Sequence, residues 1–257
     1  MTVDDHALAE QLAATAGRRL VELRESSGHL EPQHLREEGD RTGHELLLAE
    51  LARRRPDDAV LSEHGTVGLS DQDGAGTVGR SHGRVWIIDP LDGTREFGEP
   101  GRDDWAVHVA LAEGEDVVAG AVALPARDVV LSTAKPPVRL DPGTRRPQLV
   151  VSRSRPPAFL TAVADDIGAD TVPMGSAGAK IASVVLGAAD AYVHAGGQYE
   201  WDSAAPVAVA RAAGLHTSRI DGGVLRYNRP DPWLPDLVVC RPDLAETLLR
   251  RLTEFAP

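Results

Sequence analysis

Apolar residues at Leu8, Leu12, Ala16, Leu20 and Leu23 recur at the spacing of one helix face and predict a helix over residues 4–25. Ser26-Ser27-Gly28 supplies its stop. The stretch 29–40, with Glu31, Pro32, Glu37, Glu38, Gly39 and Asp40, has no such period and is expected to be an irregular, solvated connector. Leu46, Leu47 and Leu51 predict a second helix over 42–54, followed by a turn at Pro56-Asp57-Asp58. Ala59-Val60-Leu61 reads as a short strand delivering Ser62-Glu63-His64-Gly65, and residues 66–83, rich in Gly, Ser and Asp, as an exposed loop. Val85-Trp86-Ile87-Ile88 is a buried strand with Asp89 at its carboxyl end, where open α/β sheets place their ligands. Pro90 keeps Asp89 extended, Gly93 lets the chain turn, and Thr94 can begin a helix.

Strand-like runs follow at Trp105–Leu111, Val117–Leu124, Val129–Ser132 and Gln148–Val151. Turn signals between them (Glu113-Gly114, Pro125, Pro136-Pro137, Asp141-Pro142-Gly143) predict antiparallel meanders. Helices are expected over 157–166, from Gly175-Ser176 to Leu186, from Trp201-Asp202 to Ala213 with Gly214 as stop, and over 242–254. Strands are expected at Ala191–His194 and Leu237–Cys240. The chain is thus of the α/β class, without internal repeats. A division near residue 142 gives an N-terminal α+β half, 1–142, and a C-terminal α/β half, 143–257, within one compact unit.

Composition narrows the function classes. Hydrophobic residues make up 42% of the 257, enough for a core, but aromatics are only 4%, so Ala, Val and Leu must fill it. A formal charge of −12 disfavours nucleic-acid or anionic-membrane binding through a general basic field. An anionic substrate would need local cations, metal or Arg, since Lys135 and Lys180 are the sole lysines. Cys240 is the one cysteine, so no intrachain disulfide forms, and after Leu237-Val238-Val239 it reads as an inert core residue. The N-terminus lacks a charged-then-apolar signal pattern and no apolar run approaches the ~20 residues of a membrane span, so the cytoplasm is the expected compartment.

Candidate chemistry lies where short elements end. Asp-Pro-x-Asp-Gly alone is an ordinary turn, Asp202 alone a helix cap, and Glu63 alone a surface acid. Taken together, Glu63, Asp89, Asp92 and Asp202 supply hard oxygen ligands for two Mg2+ ions, completed by the Leu91 carbonyl and water. Two such ions can stabilise the attacking and leaving oxygens of a phosphoryl displacement. Other patterns fail on context. Gly79-Arg80-Ser81-His82-Gly83 fits a hydrolase elbow but has its strand after it. Gly175-Ser176-Ala177-Gly178-Ala179-Lys180 lacks the Gly-Lys-Ser/Thr of a P-loop. His108, His194 and His216 are scattered, with no zinc spacing, and read as solvated or locally hydrogen-bonded.

The set Ser62-Glu63, Asp89-Pro90-Leu91-Asp92-Gly93-Thr94 and Trp201-Asp202 resembles the signature of the inositol monophosphatase superfamily of Mg2+-dependent, lithium-sensitive phosphatases. Thr94-Arg95-Glu96-Phe97, Ser152-Arg153-Ser154, the 175–180 segment and Glu200–Pro206 resemble the CysQ subgroup of 3'(2'),5'-bisphosphate nucleotidases, which act on adenosine 3',5'-bisphosphate, a by-product of sulfate assimilation. The resemblance spans about residues 8 to 253. It implies an α/β/α/β/α sandwich, with Glu63, Asp89, the Leu91 carbonyl, Asp92 and Asp202 as metal ligands and Gly93 and Thr94 as phosphate binders. It places Asp40 on a mobile loop, paired with Thr94 to orient the attacking water and able to touch a third ion. Asp40, Thr94 and Glu63 are then the catalytic residues, and a homodimer is implied.

Two positions depart from the family pattern. His64 stands where a second Glu is frequent, and is expected behind the ligands. Arg155 follows Ser152-Arg153-Ser154 where many nucleotidases have His. Substrate binding is expected from Ser152, Arg153, Gly175, Ser176 and Lys180, with Arg153 and Lys180 as cations for a second phosphate. The alternatives are inositol monophosphate or fructose 1,6-bisphosphate as substrate, or an inactive binding protein of the same fold.

Overall fold

The computed structural model describes residues 4–27, 30–67, 83–138 and 145–255. Two helices, α1 (Asp5–Ser27) and α2 (Pro32–Arg54), precede a first group of strands: β1 (Ala59–Ser62), β2 (Gly65–Val67), β3 (Arg84–Asp92), β4 (Ala106–Glu113), β5 (Asp116–Leu124) and β6 (Val129–Ser132). A single helical turn, α3 (Thr94–Phe97), separates β3 from β4. A second group alternates: β7 (Gln148–Ser152), α4 (Phe159–Asp166), β8 (Asp170–Met174), α5 (Ala177–Val185), β9 (Ala191–Tyr199), α6 (Glu200–Ala212), β10 (His216–Ser218), β11 (Trp233–Cys240) and α7 (Pro242–Phe255).

The first group forms a six-stranded sheet in the order β2-β1-β3-β4-β5-β6, the second a five-stranded sheet in the order β10-β11-β9-β7-β8. Strand alternation then builds the layers. On β3, Trp86 and Ile88 pack with α1 and α2, whereas Val85 and Ile87 join a central core with α5 and α6. On β9 and β11, Tyr192, Leu237 and Val239 face that central core, while Val193, Val238 and Cys240 face α4 and α7. The result is an α/β/α/β/α sandwich whose middle helices are covered on both sides. Accordingly α5 is buried from Gly178 to Val185 and α6 from Ser203 to Ala210, with small and β-branched residues in place of an amphipathic stripe. Cys240 lies in the outer core, fully buried, and burial pushes its thiol up to about 12, which leaves it unreactive.

Several sequence expectations need correction. Residues 32–40 are not a connector: α2 runs unbroken from Pro32, which occupies the first turn where a missing N–H costs nothing. The apolar period fails there because α2 faces the sheet with glycines. A Cβ on Gly39 would stand 2.5 Å from Phe97 Cε1, and one on Gly43 2.9 Å from the Pro90 carbonyl oxygen. Asp40 therefore rides on a helix, not on a mobile loop. Strand β3 does not stop at Ile88 but continues through Asp92. Thr66 and Val67 belong to β2, which pairs antiparallel with β1. Strand β7 is not part of the meander: it lies in the second sheet, parallel to β8 and β9. Strands β8 and β10 went unread, and β9 and β11 are longer than expected because their outer ends are polar or broken by Gly196-Gly197 and Pro235. The Gly79–Gly83 motif, apart from Gly83, and the Gly28 stop lie outside the described residues.

Alanine is favoured over glycine by ~1 kcal/mol in a helix interior. Gly39→Ala should nevertheless destabilise the fold by about 1–3 kcal/mol, because Phe97 is fully buried and edge-on to Trp105 at 4.9 Å and cannot retreat. Urea unfolding measures this; equal or greater stability would show that α2 does not pack this closely.

Candidate metal centre and phosphate cavity

In a regular strand Asp89 and Asp92 would point to opposite faces. The pairing with β4 shifts between them, three residues against two, with Asp89 opposite His108 and Asp92 opposite Ala106. That bulge brings both carboxylates to one place. Oxygens of Asp89, Asp92 and Asp202 lie within 4.8 Å of one another, and so do ligand atoms of Asp40, Glu63 and His64. The Leu91 N–H donates to Asp89 Oδ1 at 3.0 Å, and the Leu91 carbonyl accepts from Thr94 Oγ1 at 2.9 Å.

Asp92 is the most fully satisfied of the set. Ser176 Oγ donates to its Oδ2 at 2.6 Å, Gly178 N at 2.6 Å, and Ala177 N donates to Oδ1 at 3.2 Å. His108 Nε2 approaches Oδ2 at 3.2 Å, as an ion pair and not as an aligned hydrogen bond. The other ring nitrogen faces the Trp201 carbonyl at 3.0 Å, and since a carbonyl can only accept, Nδ1 carries a proton. Burial opposes charge on both groups. Mutual attraction and the helix-start donors win, lowering Asp92 to about 2 and raising His108. Gly178 makes this possible, since a Cβ there would overlap His108 Nε2 at 2.0 Å. Ser176 caps α5 through Ala179 N at 2.9 Å and holds φ at 43° and ψ at 131°, a backbone state costing about 1–3 kcal/mol for a non-glycine residue.

The remaining acids lack such compensation. Burial, then the charges of Asp92, Glu63 and Asp202, push Asp89 well above the usual carboxylate range. Burial and Asp92 raise Asp202 to about 6, although its Oδ2 caps α6 by accepting from Tyr199 N at 2.7 Å. Burial and the adjacent Asp40 raise Glu63 to about 8; Glu63 has one edge open to solvent, so its shift weighs less than that of Asp89. His64 Nε2 lies 2.9 Å from Asp40 Oδ2, and its ring tilts against His44 at 4.3 Å. His64 thus sits directly on Asp40. Asp40 and Thr94 are not bonded to each other: Thr94 Oγ1 donates to the Leu91 carbonyl, and Asp40 Oδ1 is buried without a hydrogen-bond partner. Among the described residues Asp89, Asp202 and Glu63 have no Lys or Arg ion-pair partner and are driven toward protonation, which a divalent cation would relieve, and all-oxygen donors suit a hard one.

A cavity of about 470 Å3 opens beside these acids. Asp92, Gly93, Thr94 and Asp202 line one end, and Ser152, Gly175, Ser176 and Lys180 also border it. Gly93, at φ 84°, makes the turn that carries the chain from β3 into α3. Arg153 does not line it: its guanidinium is committed to Glu96 at 2.7 Å and Glu99 at 2.9 Å. Lys180 is buried, donates to the Gly175 carbonyl at 3.1 Å, and stands 5.2 Å over the Tyr192 ring. Arg155, the departure from the family pattern, does border the cavity.

Sequence reasoning missed His108, which looked scattered but sits on β4 among Ala106 and Ala110, and Asp104, which accepts from Gly175 N at 2.7 Å and pins the 175–178 turn. It also missed Glu200, fully buried, which accepts from Asn228 N and Arg229 N and ties that segment to the start of α6. A lone His at an inward strand position, flanked by alanines, was the available signal for the first.

The chain matches the inositol monophosphatase family over residues 5–140 and 142–255. It is 48% identical to a 3'-phosphoadenosine 5'-phosphate phosphatase of Mycobacterium leprae over 266 aligned positions, covering 97% of this chain and 94% of the relative. It is 32% identical to the 3'(2'),5'-bisphosphate nucleotidase CysQ of Escherichia coli, covering 76% and 80%. The fold is that of inositol monophosphatase-II from Staphylococcus aureus, at a TM-score of 0.76 and 21% identity over 95% of this chain and 91% of that one. Among the described residues no helix is long and apolar enough to cross a membrane. With the paired carboxylates, the Gly93-Thr94 turn and the matched length taken together, the chain belongs to the inositol monophosphatase family.

Proposed function

We propose that this chain is a Mg2+-dependent phosphatase that removes the 3'-phosphate of adenosine 3',5'-bisphosphate, yielding adenosine 5'-phosphate and inorganic phosphate. One observation carries the reaction class: Asp89 and Asp92 from β3 and Asp202 from α6 bring oxygens within 4.8 Å of one another beside a cavity that Asp92 and Asp202 line, with Asp89 and Asp202 driven toward protonation. The curated relatives support the substrate.

Asp89, Asp92, Asp202, Glu63 and the Leu91 carbonyl would hold two Mg2+ ions, with Asp40 and Glu63 beside a third. The ions, when bound, lower the pKa of water and neutralise charge on the phosphoryl group. Gly93 and Thr94 hold the scissile phosphate at the cavity end they line. Thr94 and Asp40 flank the attacking water, and Asp40 accepts its proton with His64 as hydrogen-bond partner. The new bond joins the water oxygen to phosphorus, the phosphorus–O3' bond breaks, and the ribose oxygen takes up a proton. His108 and the start of α5 keep Asp92 ionised and fixed throughout. A cytoplasmic homodimer is the setting in which we place this activity.

A phosphate-release panel with Mg2+ should give adenosine 3',5'-bisphosphate the highest kcat/KM, above inositol 1-phosphate and fructose 1,6-bisphosphate; no release from the bisphosphate nucleotide would refute the assignment. Asp89→Asn and Asp202→Asn should fold yet lose ~10²-fold or more in kcat, since each removes an anionic ligand. Near wild-type turnover at saturating Mg2+ would remove those residues from the metal centre.

The raised carboxyls also make stability depend on pH when metal is stripped. Asp202 and Asp89 bind protons more tightly folded than unfolded, so the folded state gains stability below their native pKa values and loses it as pH rises through them. In EDTA the Tm should therefore fall between pH 5 and 8, and Mg2+ at pH 8 should restore it. A flat profile in EDTA would show that the carboxyls are not strained without metal.

A further inference from the structure

We propose that substrate choice is made at the rim of the cavity: Arg155 takes the second phosphate, and the exposed ring of Trp233, backed by Tyr199, takes the base. This rests on the phosphatase reading above and names the groups that would make it a nucleotidase.

The two cations expected for this task are otherwise engaged. Arg153 is held by Glu96 and Glu99, and Lys180 is buried against Gly175 and Tyr192. Among the described residues, Arg95 and Arg155 are the guanidinium groups that border the cavity, and neither is in an ion pair there. Arg95 follows Thr94 directly and so belongs to the end where the scissile phosphate sits. Arg155 stands on the loop after β7 and borders the cavity, near enough to His194 to add to burial in lowering that ring's pKa. Its loop is fixed by its own N–H, which donates to Ser152 Oγ at 3.1 Å. In a chain of net charge −12, an unpaired guanidinium at a cavity rim is a local anion site, and its fork geometry matches phosphate.

The aromatic shelf is built, not incidental. Trp233 and Tyr199 are each 43% exposed, yet both border the cavity. Tyr199 stacks on Trp201 at 4.7 Å with 10° between planes, and meets Trp233 edge-on at 5.4 Å. Gly197 vacates the space Trp233 occupies: at φ 90°, a Cβ there would fall 1.7 Å from Trp233 Cζ2. The ends of β9 and β11, paired at Tyr199 and Trp233, thus hold a flat apolar face at the cavity mouth. A purine offers a matching π-face; inositol and fructose offer hydroxyls.

The test compares kcat/KM across four substrates that carry both features, one, or neither: adenosine 3',5'-bisphosphate, adenosine 3'-phosphate, fructose 1,6-bisphosphate and inositol 1-phosphate. Arg155→Ala should lower kcat/KM for the bisphosphate nucleotide about ten- to a hundredfold and leave adenosine 3'-phosphate within about twofold. Trp233→Ala should lower both nucleotides by about ten- to a hundredfold and spare inositol 1-phosphate. Trp233→Leu keeps the apolar volume without the ring and should behave as Trp233→Ala does; Trp233→Phe should recover part of the loss. Where a poor substrate turns over too slowly, inhibition reads the same contacts. Arg155→Ala should raise Ki for adenosine 5'-phosphate and leave Ki for adenosine unchanged. Equal losses on all substrates, no loss on any, or a selective loss in Arg95→Ala and not Arg155→Ala would overturn the proposal while leaving the phosphatase reading intact. Failure of the wild-type chain to release phosphate from the bisphosphate nucleotide would instead overturn the phosphatase reading.

Discussion

Negative charge gathered in a place with little water is the constraint around which this molecule is built. Asp89, Asp92, Asp202 and Glu63 repel one another, and burial raises the cost of keeping them ionised. The fold answers by distributing the task. The β3 bulge sets two carboxylates side by side, α5 turns its first N–H groups onto Asp92, and α6 gains its cap from Asp202. Helix N-termini carry partial positive charge, so two middle-layer helices begin where the acids lie. His108, fully buried between the two middle helices and the first sheet, sets its Nε2 3.2 Å from Asp92 Oδ2, where no solvent can screen the contact. What these devices leave uncompensated is the part that a divalent cation completes.

The two sheets divide the labour. The first contributes the bulge, the Leu91 carbonyl and the Gly93-Thr94 turn, and the β1–β2 turn brings Glu63. The second contributes the ends of β7, β9 and β11, from which the cavity rim is made. Asp92 joins them, because its partners Ser176, Ala177 and Gly178 sit at the junction of β8 and α5. The 175–178 turn is held from the other side by Asp104, so a change at the rim can be absorbed without moving the carboxylates.

Much of this was legible in the residues themselves. Short strands ending in acids, a proline that holds Asp89 extended and a glycine after Asp92 point to a cation site before any coordinates are seen, and the apolar period of α1 is plain. What escaped did so for physical reasons. The first turns of α2 carry glycines where a leucine period would stand, because the helix lies against Pro90, Leu91 and Phe97 too closely for side chains. The strands β8 and β10 are short and polar on their exposed faces, leaving no alternation to read. The surroundings of His108 and Arg153 were not legible, because they are set by partners distant in sequence, Asp92 and Glu96.

The unbroken course of α2 has a consequence for the timing of events at the site. Asp40 is presented by a 23-residue helix seated by glycine contacts on the strand–turn segment that carries the other acids. Its position is settled when the chain folds, so its own backbone has no freedom to lose when a substrate arrives. A side chain on a rigid rod shares the rod's motion: any displacement of Asp40 must carry His44 with it and disturb Pro90 and Phe97 at once. The Asp40 side of the site is therefore tied to the core, whereas Arg155 and Trp233 stand on a loop and a strand end at the cavity rim.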